Sequence, residues 1–183
     1  AIGSETAAGI FDVVAEDCLF DGTDRGIRIK TRRGRGGEIR NLRFERLVMK
    51  DNLCPLAVNM YYRCGASDGL LFSLDKVPVV DTTPFIGDIV VKDCTATGCK
   101  ASAGFIVGLP EAPVTGVSIS DCSFSVDRTS AVPTDESEMF YGIPHEKSKG
   151  IRLRNITGSF SNVVVEGTDV PFVRETGVDV SFS

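Results

Sequence analysis

The chain has 183 residues, 42% of them hydrophobic and 25% charged, a balance that excludes an intrinsically disordered polymer and gives one domain enough length to bury its own core. Its 25 acidic against 20 basic side chains leave a net charge of −5, which excludes coating of nucleic acid by bulk charge, and no apolar run is long enough to span a membrane. With 19 Gly, 8 Pro, 11 Phe and no Trp, and no helical apolar stripe, the composition favours many turns between short strands.

In chain order, the first alternating stretch is Ile-Phe-Asp-Val-Val-Ala-Glu-Asp-Cys at residues 10–18. A basic run follows, in which six of the eleven residues from 25 to 35 are Arg or Lys although the chain is acidic overall. Read as a strand, this run turns Ile27 and Ile29 to one face and Arg28 and Lys30 to the other. A guanidinium fork beside a point charge suits a carboxylate or a phosphate. The competing reading is a solvated strand face balanced by Asp21, Asp24 and Glu38. The glycines of 34–37 either let backbone approach a ligand or make a turn. Further alternating stretches lie at 39–47, 86–94, 114–122 and 160–168. Between them, the segment 64–84 is an insertion whose Gly-Leu-Leu-Phe run at 69–72 either folds over a flank or shapes a cleft wall. The stretch 127–137 is a polar surface loop. His145 falls in the long insertion before the last repeat, and a lone His there reads as structural.

The alternating stretches are copies of one phrase. Their fourth and sixth places are apolar: Val13 and Ala15, Leu42 and Phe44, Ile89 and Val91, Val117 and Ile119, Val163 and Val165. Their third place is Asp12, Asn41, Asp88, Gly116 or Asn162, residue types that tolerate left-handed backbone and so place a bend in each strand. Starts at 10, 39, 86, 114 and 160 are spaced 29, 47, 28 and 46, the spacing of one coil of about 28 residues with two insertions. No such unit buries its own apolar face, so the core comes from stacking. The expected fold is all-β, a right-handed parallel β-helix over residues 1–183, with a β-sandwich as the alternative. In that stack Cys18, Cys94 and Cys122 share one register and are expected to be small buried core residues with free thiols; Cys54, Cys64 and Cys99 are not placed. No close pair of Cys is matched by His, so no metal site and no cofactor is expected.

The run from Ala1-Ile2-Gly3-Ser4 through Arg28-Ile29-Lys30 to Tyr61-Tyr62 resembles glycoside hydrolase family 28, the polygalacturonases and their relatives on pectin. In that family an Arg-Ile-Lys strand follows one coil after a segment ending in Ile-Gly-Ser, and Ile2-Gly3-Ser4 stands at the matching distance. The resemblance implies an inverting hydrolase of α-linked galacturonate chains in which Arg28 and Lys30 grip a sugar carboxylate. It also implies a substrate-contacting aromatic on the next coil, for which Tyr62 is the nearest match and Tyr61 its neighbour by one position.

The family's acid and base Asp residues lie upstream of its Gly-His-Gly segment, and nothing here matches them. Asp12, Asp17, Asp21 and Asp24 read as turn and surface residues. The expectation is therefore a set of C-terminal coils, truncated at their N-terminal end, with no catalytic residue in this chain and no activity alone. The partners expected are a galacturonate-containing saccharide and either the missing coils or another copy capping the bare end; nucleic acid and membrane are not expected. A secreted or periplasmic parent is favoured, with a cytoplasmic one as the alternative. The competing functions are a non-catalytic acidic-glycan module and a structural β-helix.

Overall fold

The computed structural model describes residues 1–66 and 68–183; residue 67, inside the 64–84 insertion, lies outside them. Each coil contributes up to three strands. The first holds β1 (Ile10–Glu16), β2 (Leu19–Asp21) and β3 (Arg25–Lys30), and the second β4 (Glu38–Glu45), β5 (Val48–Lys50) and β6 (Cys54–Asn59). The third holds β7 (Phe85–Lys92), β8 (Thr95–Cys99) and β9 (Gly104–Val107). In the fourth, β10 (Val114–Val126) serves two faces before β11 (Ile151–Arg154), and in the fifth β12 (Ile156–Glu166) does the same before β13 (Phe172–Arg174). β14 (Val178–Phe182) begins another turn.

Every ladder between these strands is parallel. A β-sandwich is built from antiparallel pairs, so the parallel β-helix is the architecture. The first face stacks β1, β4, β7, β10, β12 and β14; the second stacks β2, β5, β8 and the far ends of β10 and β12; the third stacks β3, β6, β9, β11 and β13.

The repeat's apolar places stack in the expected register: Val13 on Leu42 on Ile89 on Val117, and Ala15 on Phe44 on Val91 on Ile119. The fifth copy does not. Val163 pairs with Cys122 and Val165 with Phe124, while the partners of Val117 and Ile119 are Gly158 and Phe160. The spacing there is 41 residues, as Ile119 and Phe160 show, instead of 46. The cause is a second bend in each coil that uses the same residue types. Asp12, Asn41, Asp88 and Gly116 form one left-handed column, with φ of 58, 57, 54 and 63°. Asp17, Arg46, Asp93, Asp121 and Asn162 form another, with φ of 54, 51, 52, 53 and 49°. Asn162 belongs to this second column, where its amide donates to the carboxylate of Asp121 at 2.9 Å.

The core is the interior of the stack, where Leu42, Phe124, Phe160 and Ile29 are all within 1% of full burial. Each contributes about 1.5–3 kcal/mol by leaving water. The cysteine column is corrected at its top. Cys94 and Cys122 are buried, but Cys18 is exposed because it stands in the first coil, with Leu47 below it and, among the described residues, no strand above. The same coil leaves Val13 and Ala15 only half-buried. Among the others Cys54 and Cys99 are buried, Cys64 is exposed, and all six thiols are free.

Candidate functional site

β3 opens the third face, and its alternation sets the site. Ile27 and Ile29 enter the core at 3% and 0% exposure, so Arg28 and Lys30 stand outward on the same strand. Above them runs Ile2, whose N–H donates to the Arg28 carbonyl at 2.7 Å and whose carbonyl accepts from the Lys30 N–H at 3.0 Å. Ile2-Gly3-Ser4 thus lies one coil before Arg28-Ile29-Lys30, as the family resemblance implies. Gly3 is required there: at φ +87° a Cβ would stand 2.1 Å from the Lys30 carbonyl oxygen.

Tyr62 comes to the same place from the end of β6, its N–H donating to the Thr31 carbonyl at 3.2 Å. The Lys30 ammonium donates to the Tyr62 hydroxyl at 3.3 Å and sits 4.5 Å from the ring centroid; the Arg28 guanidinium lies 5.6 Å from that centroid. The structure therefore brings Arg28, Lys30 and Tyr62 together. Tyr61 turns the other way, fully buried with its hydroxyl donating to the Ser73 carbonyl at 3.3 Å, and contributes nothing to this surface. The Tyr62 ring is itself 5% exposed, so what it offers is its hydroxyl and its ring face toward the two cations.

Sequence reasoning missed Glu138. Its carboxylate accepts both arms of the Arg28 fork, Nε at 2.8 Å and Nη2 at 2.6 Å, and also the Met139 N–H at 2.7 Å. The Glu138 side chain is completely covered, whereas that of Arg28 stays 18% exposed. The bond to Glu138 holds the Arg28 guanidinium even more firmly protonated than usual. Glu138 sits 110 residues from Arg28, in the loop between β10 and β11 that reads as plain surface in the sequence. Its only sequence signal is an acidic residue just ahead of an apolar run, Met139-Phe140-Tyr141.

The rest of the basic run is spent on structure. Arg25 donates to the carbonyls of Glu136 and Ser137 and pairs with Asp24. Arg33 is bidentate to the covered Glu111, at 2.5 and 2.9 Å, and donates to the carbonyls of Leu71, Ser73 and Asp75, pinning the insertion to the helix. Arg35 pairs with Glu5. Among the described residues of the run, Lys30 and Arg32 have no carboxylate partner. The sequence reads as a broad positive patch, and the folded chain reduces it to Lys30, the partly exposed edge of Arg28, and Arg32, which is partly exposed and donates to the Arg33 carbonyl.

The acidic residues near the run lie elsewhere. Asp12 and Asp17 hold left-handed bends; Asp21 ends β2 and Asp24 lies in the bend before β3, both exposed. An inverting pair needs two carboxyl groups about 6.5–9.5 Å apart with room for water between them. Among the described residues Glu138 is the one carboxylate hydrogen-bonded to the cluster, and it is covered and engaged. His145 is bonded through Nδ1 to Asp135 with 82% of its side chain exposed, in a cavity of about 260 Å³ that Arg25, Arg63, Glu138 and Phe140 also line. Among the described residues no group of three or more His, Cys, Asp or Glu side chains is placed to hold a metal ion.

Fold and site together define a parallel β-helix that presents a lysine, an arginine and a tyrosine from successive coils of one face. The chain belongs to glycosyl hydrolases family 28, whose sequence model matches residues 1–138. It is 32% identical over 121 residues to a probable polygalacturonase of Vitis vinifera, covering 66% of this chain and 23% of that protein. It is 34% identical over 62 residues to an endo-polygalacturonase of Pectobacterium carotovorum subsp. carotovorum, covering 34% of this chain and 15% of that protein. A polygalacturonase of Ralstonia solanacearum is 33% identical over 66 residues, with 34% and 12% covered. The chain thus spans less than a quarter of the length of these relatives. No solved structure matches it.

Proposed function

We propose that this chain supplies part of the substrate groove of a pectin-directed glycoside hydrolase, with Lys30 and Arg28 facing a galacturonate carboxylate and Tyr62 holding the Lys30 ammonium in place. The observation that carries this reading is Lys30. It is an outward lysine with no carboxylate partner, steadied by a hydroxyl beside an arginine, in a family whose named relatives are polygalacturonases. A polyuronate offers a carboxylate on every sugar, and a local cation in an acidic protein grips one without general affinity for anions.

In this reading residues 1–183 are C-terminal coils of a single β-helix, and the general acid and base come from coils outside them. Such coils, or a second copy of the chain, would also cover the half-bared apolar residues of the first coil. The 183-residue chain alone then releases no reducing sugar from polygalacturonate. A second reading, an acidic-glycan module without catalysis, is favoured by the single engaged carboxylate at the cluster.

The test is a calorimetric titration with trigalacturonate, using maltotriose as the uncharged control. Lys30→Ala should weaken trigalacturonate binding about tenfold or more, the scale of one charge-assisted hydrogen bond, and Tyr62→Phe should weaken it less. Equal binding of the two trisaccharides, or an unaffected Lys30→Ala variant, removes the proposal. Sugar release by the chain on its own removes the assignment of the acid and base to other coils.

A further inference from the structure

Outward positions on a parallel β-helix ordinarily meet water. On the third face they form two columns, Arg28, Ala57, Phe105 and Arg152 in one, and Lys30, Asn59, Val107 and Arg154 in the other. Below the first coil these positions are closed except at Arg154, the lowest of the second column, which stays partly exposed: Ala57, Asn59 and Val107 are 0% exposed, Phe105 2% and Arg152 4%. All of β6 and all of β9 are buried on both sides.

The cover over the Arg28 column is residues 136–144 of the loop between β10 and β11, which descend the stack as a strap. Glu136 and Ser137 are held by Arg25, Glu138 by Arg28, and the Met139 carbonyl by the Asn59 amide at 3.0 Å. The Phe140 ring stacks on Phe105 at 5.5 Å, and the Pro144 carbonyl accepts from Arg152 at 2.7 Å. The insertion braces the strap from the side, with Phe72 edge-on to Tyr141 at 5.2 Å. At Gly142, φ +81°, a Cβ would stand 2.4 Å from the Phe72 carbonyl oxygen, so only glycine passes there.

We propose that this strap determines how a uronate chain is bound: it closes the third face immediately below Arg28 and Lys30, so that a saccharide laid along the stack extends from the two cations in one direction only and is held by its end. The inference rests on the uronate reading of Arg28 and Lys30. The strap is a fixed wall and not a loose flap, because its first anchor is a fully covered carboxylate on a bidentate arginine, and displacing it would leave buried charge unpaired. The family match ends at residue 138, so it takes in the anchor Glu138 and stops before residues 139–144.

Sedimentation velocity of the protein with trigalacturonate and with long polygalacturonate of defined length tests it. One protein is expected per polymer chain however long the polymer, with an affinity per chain end equal to that for trigalacturonate. In Phe140→Ser combined with Glu138→Gln, checked for folding by circular dichroism, the number per chain should rise above one. Loading of several wild-type molecules along one polymer overturns the closure and leaves the uronate reading standing. Absence of binding to both saccharides removes the uronate reading and the closure with it. The wild-type loading decides the matter even if the double variant fails to fold.

Discussion

Replacing Glu111 by Ala tests whether the basic run is built into the fold as described. Arg33 is 6% exposed and reaches the Glu111 carboxylate through both Nε and Nη2, and the Glu111 side chain is wholly covered. Removing one partner of a buried pair typically costs about 3–5 kcal/mol, because the other charge is left unpaired. Arg33 keeps the carbonyls of Leu71, Ser73 and Asp75, which places the expected loss near the lower end, about 3 kcal/mol. At roughly 2–4 °C per kcal/mol for a chain of this size, the melting temperature should fall by about 6–12 °C at neutral pH, read by circular dichroism. The pH dependence follows from the same contact. Burial alone would push the Glu111 carboxyl up, but its bonds to Arg33 outweigh burial and hold it below the ordinary value of 4.5. A carboxyl lowered in the folded state contributes stability in full above its unfolded value and loses it as pH falls through the folded one. The gap between wild type and Glu111→Ala should thus be constant at neutral pH and narrow below about 4.5. A fall in melting temperature under about 2 °C, or a gap that does not narrow in acid, refutes the role given to the pair.

Two further measurements probe the coils. In native protein a thiol reagent should titrate two cysteines, the exposed Cys18 and Cys64, and reach six only after denaturation; burial pushes Cys54 and Cys99 up to about 12, which keeps them protonated and inert. More than two fast equivalents would contradict the placement of the cysteine column. Asp93 is exposed and left-handed at φ 52°, so Asp93→Val should cost about 1–2 kcal/mol in urea unfolding while Asp93→Gly costs little; equal effects would mean the bend is not what the position requires.

The stack was legible because a parallel ladder copies its constraints from coil to coil. The interior places of the first four copies align residue by residue, and the bend residues before them share left-handed backbone. The fifth copy slipped for the same reason. With two of the bends in each coil favouring Asp or Asn, a sequence whose apolar places read Val163 and Val165 fits the first face as well as the second, and only the hydrogen-bonded register separates them. The short β14 carries no repeat signal in the sequence because its turn of 22 residues, from Ile156 to Val178, is shorter than the 28-residue coil.

The site was legible where it is local and opaque where it is not. Arg28 and Lys30 share a strand, so alternation alone sets them side by side, whereas Tyr62 is singled out only by the family resemblance: the ladder partner of Lys30 on the next coil is Asn59. What becomes of their charge is decided by residues far away in sequence: Glu138 for Arg28, Glu111 for Arg33, and the backbone carbonyls of 136 and 137 for Arg25. Composition counted six cations in eleven positions as one patch, yet burial permits an arginine only with a partner, and four of the six meet carboxylates. The selection that leaves Lys30 available is thus made by the two loops that fold back onto the third face. In the Lys30 column the strap reaches Asn59 of the next coil through the Met139 carbonyl, and Lys30 itself stays partly exposed.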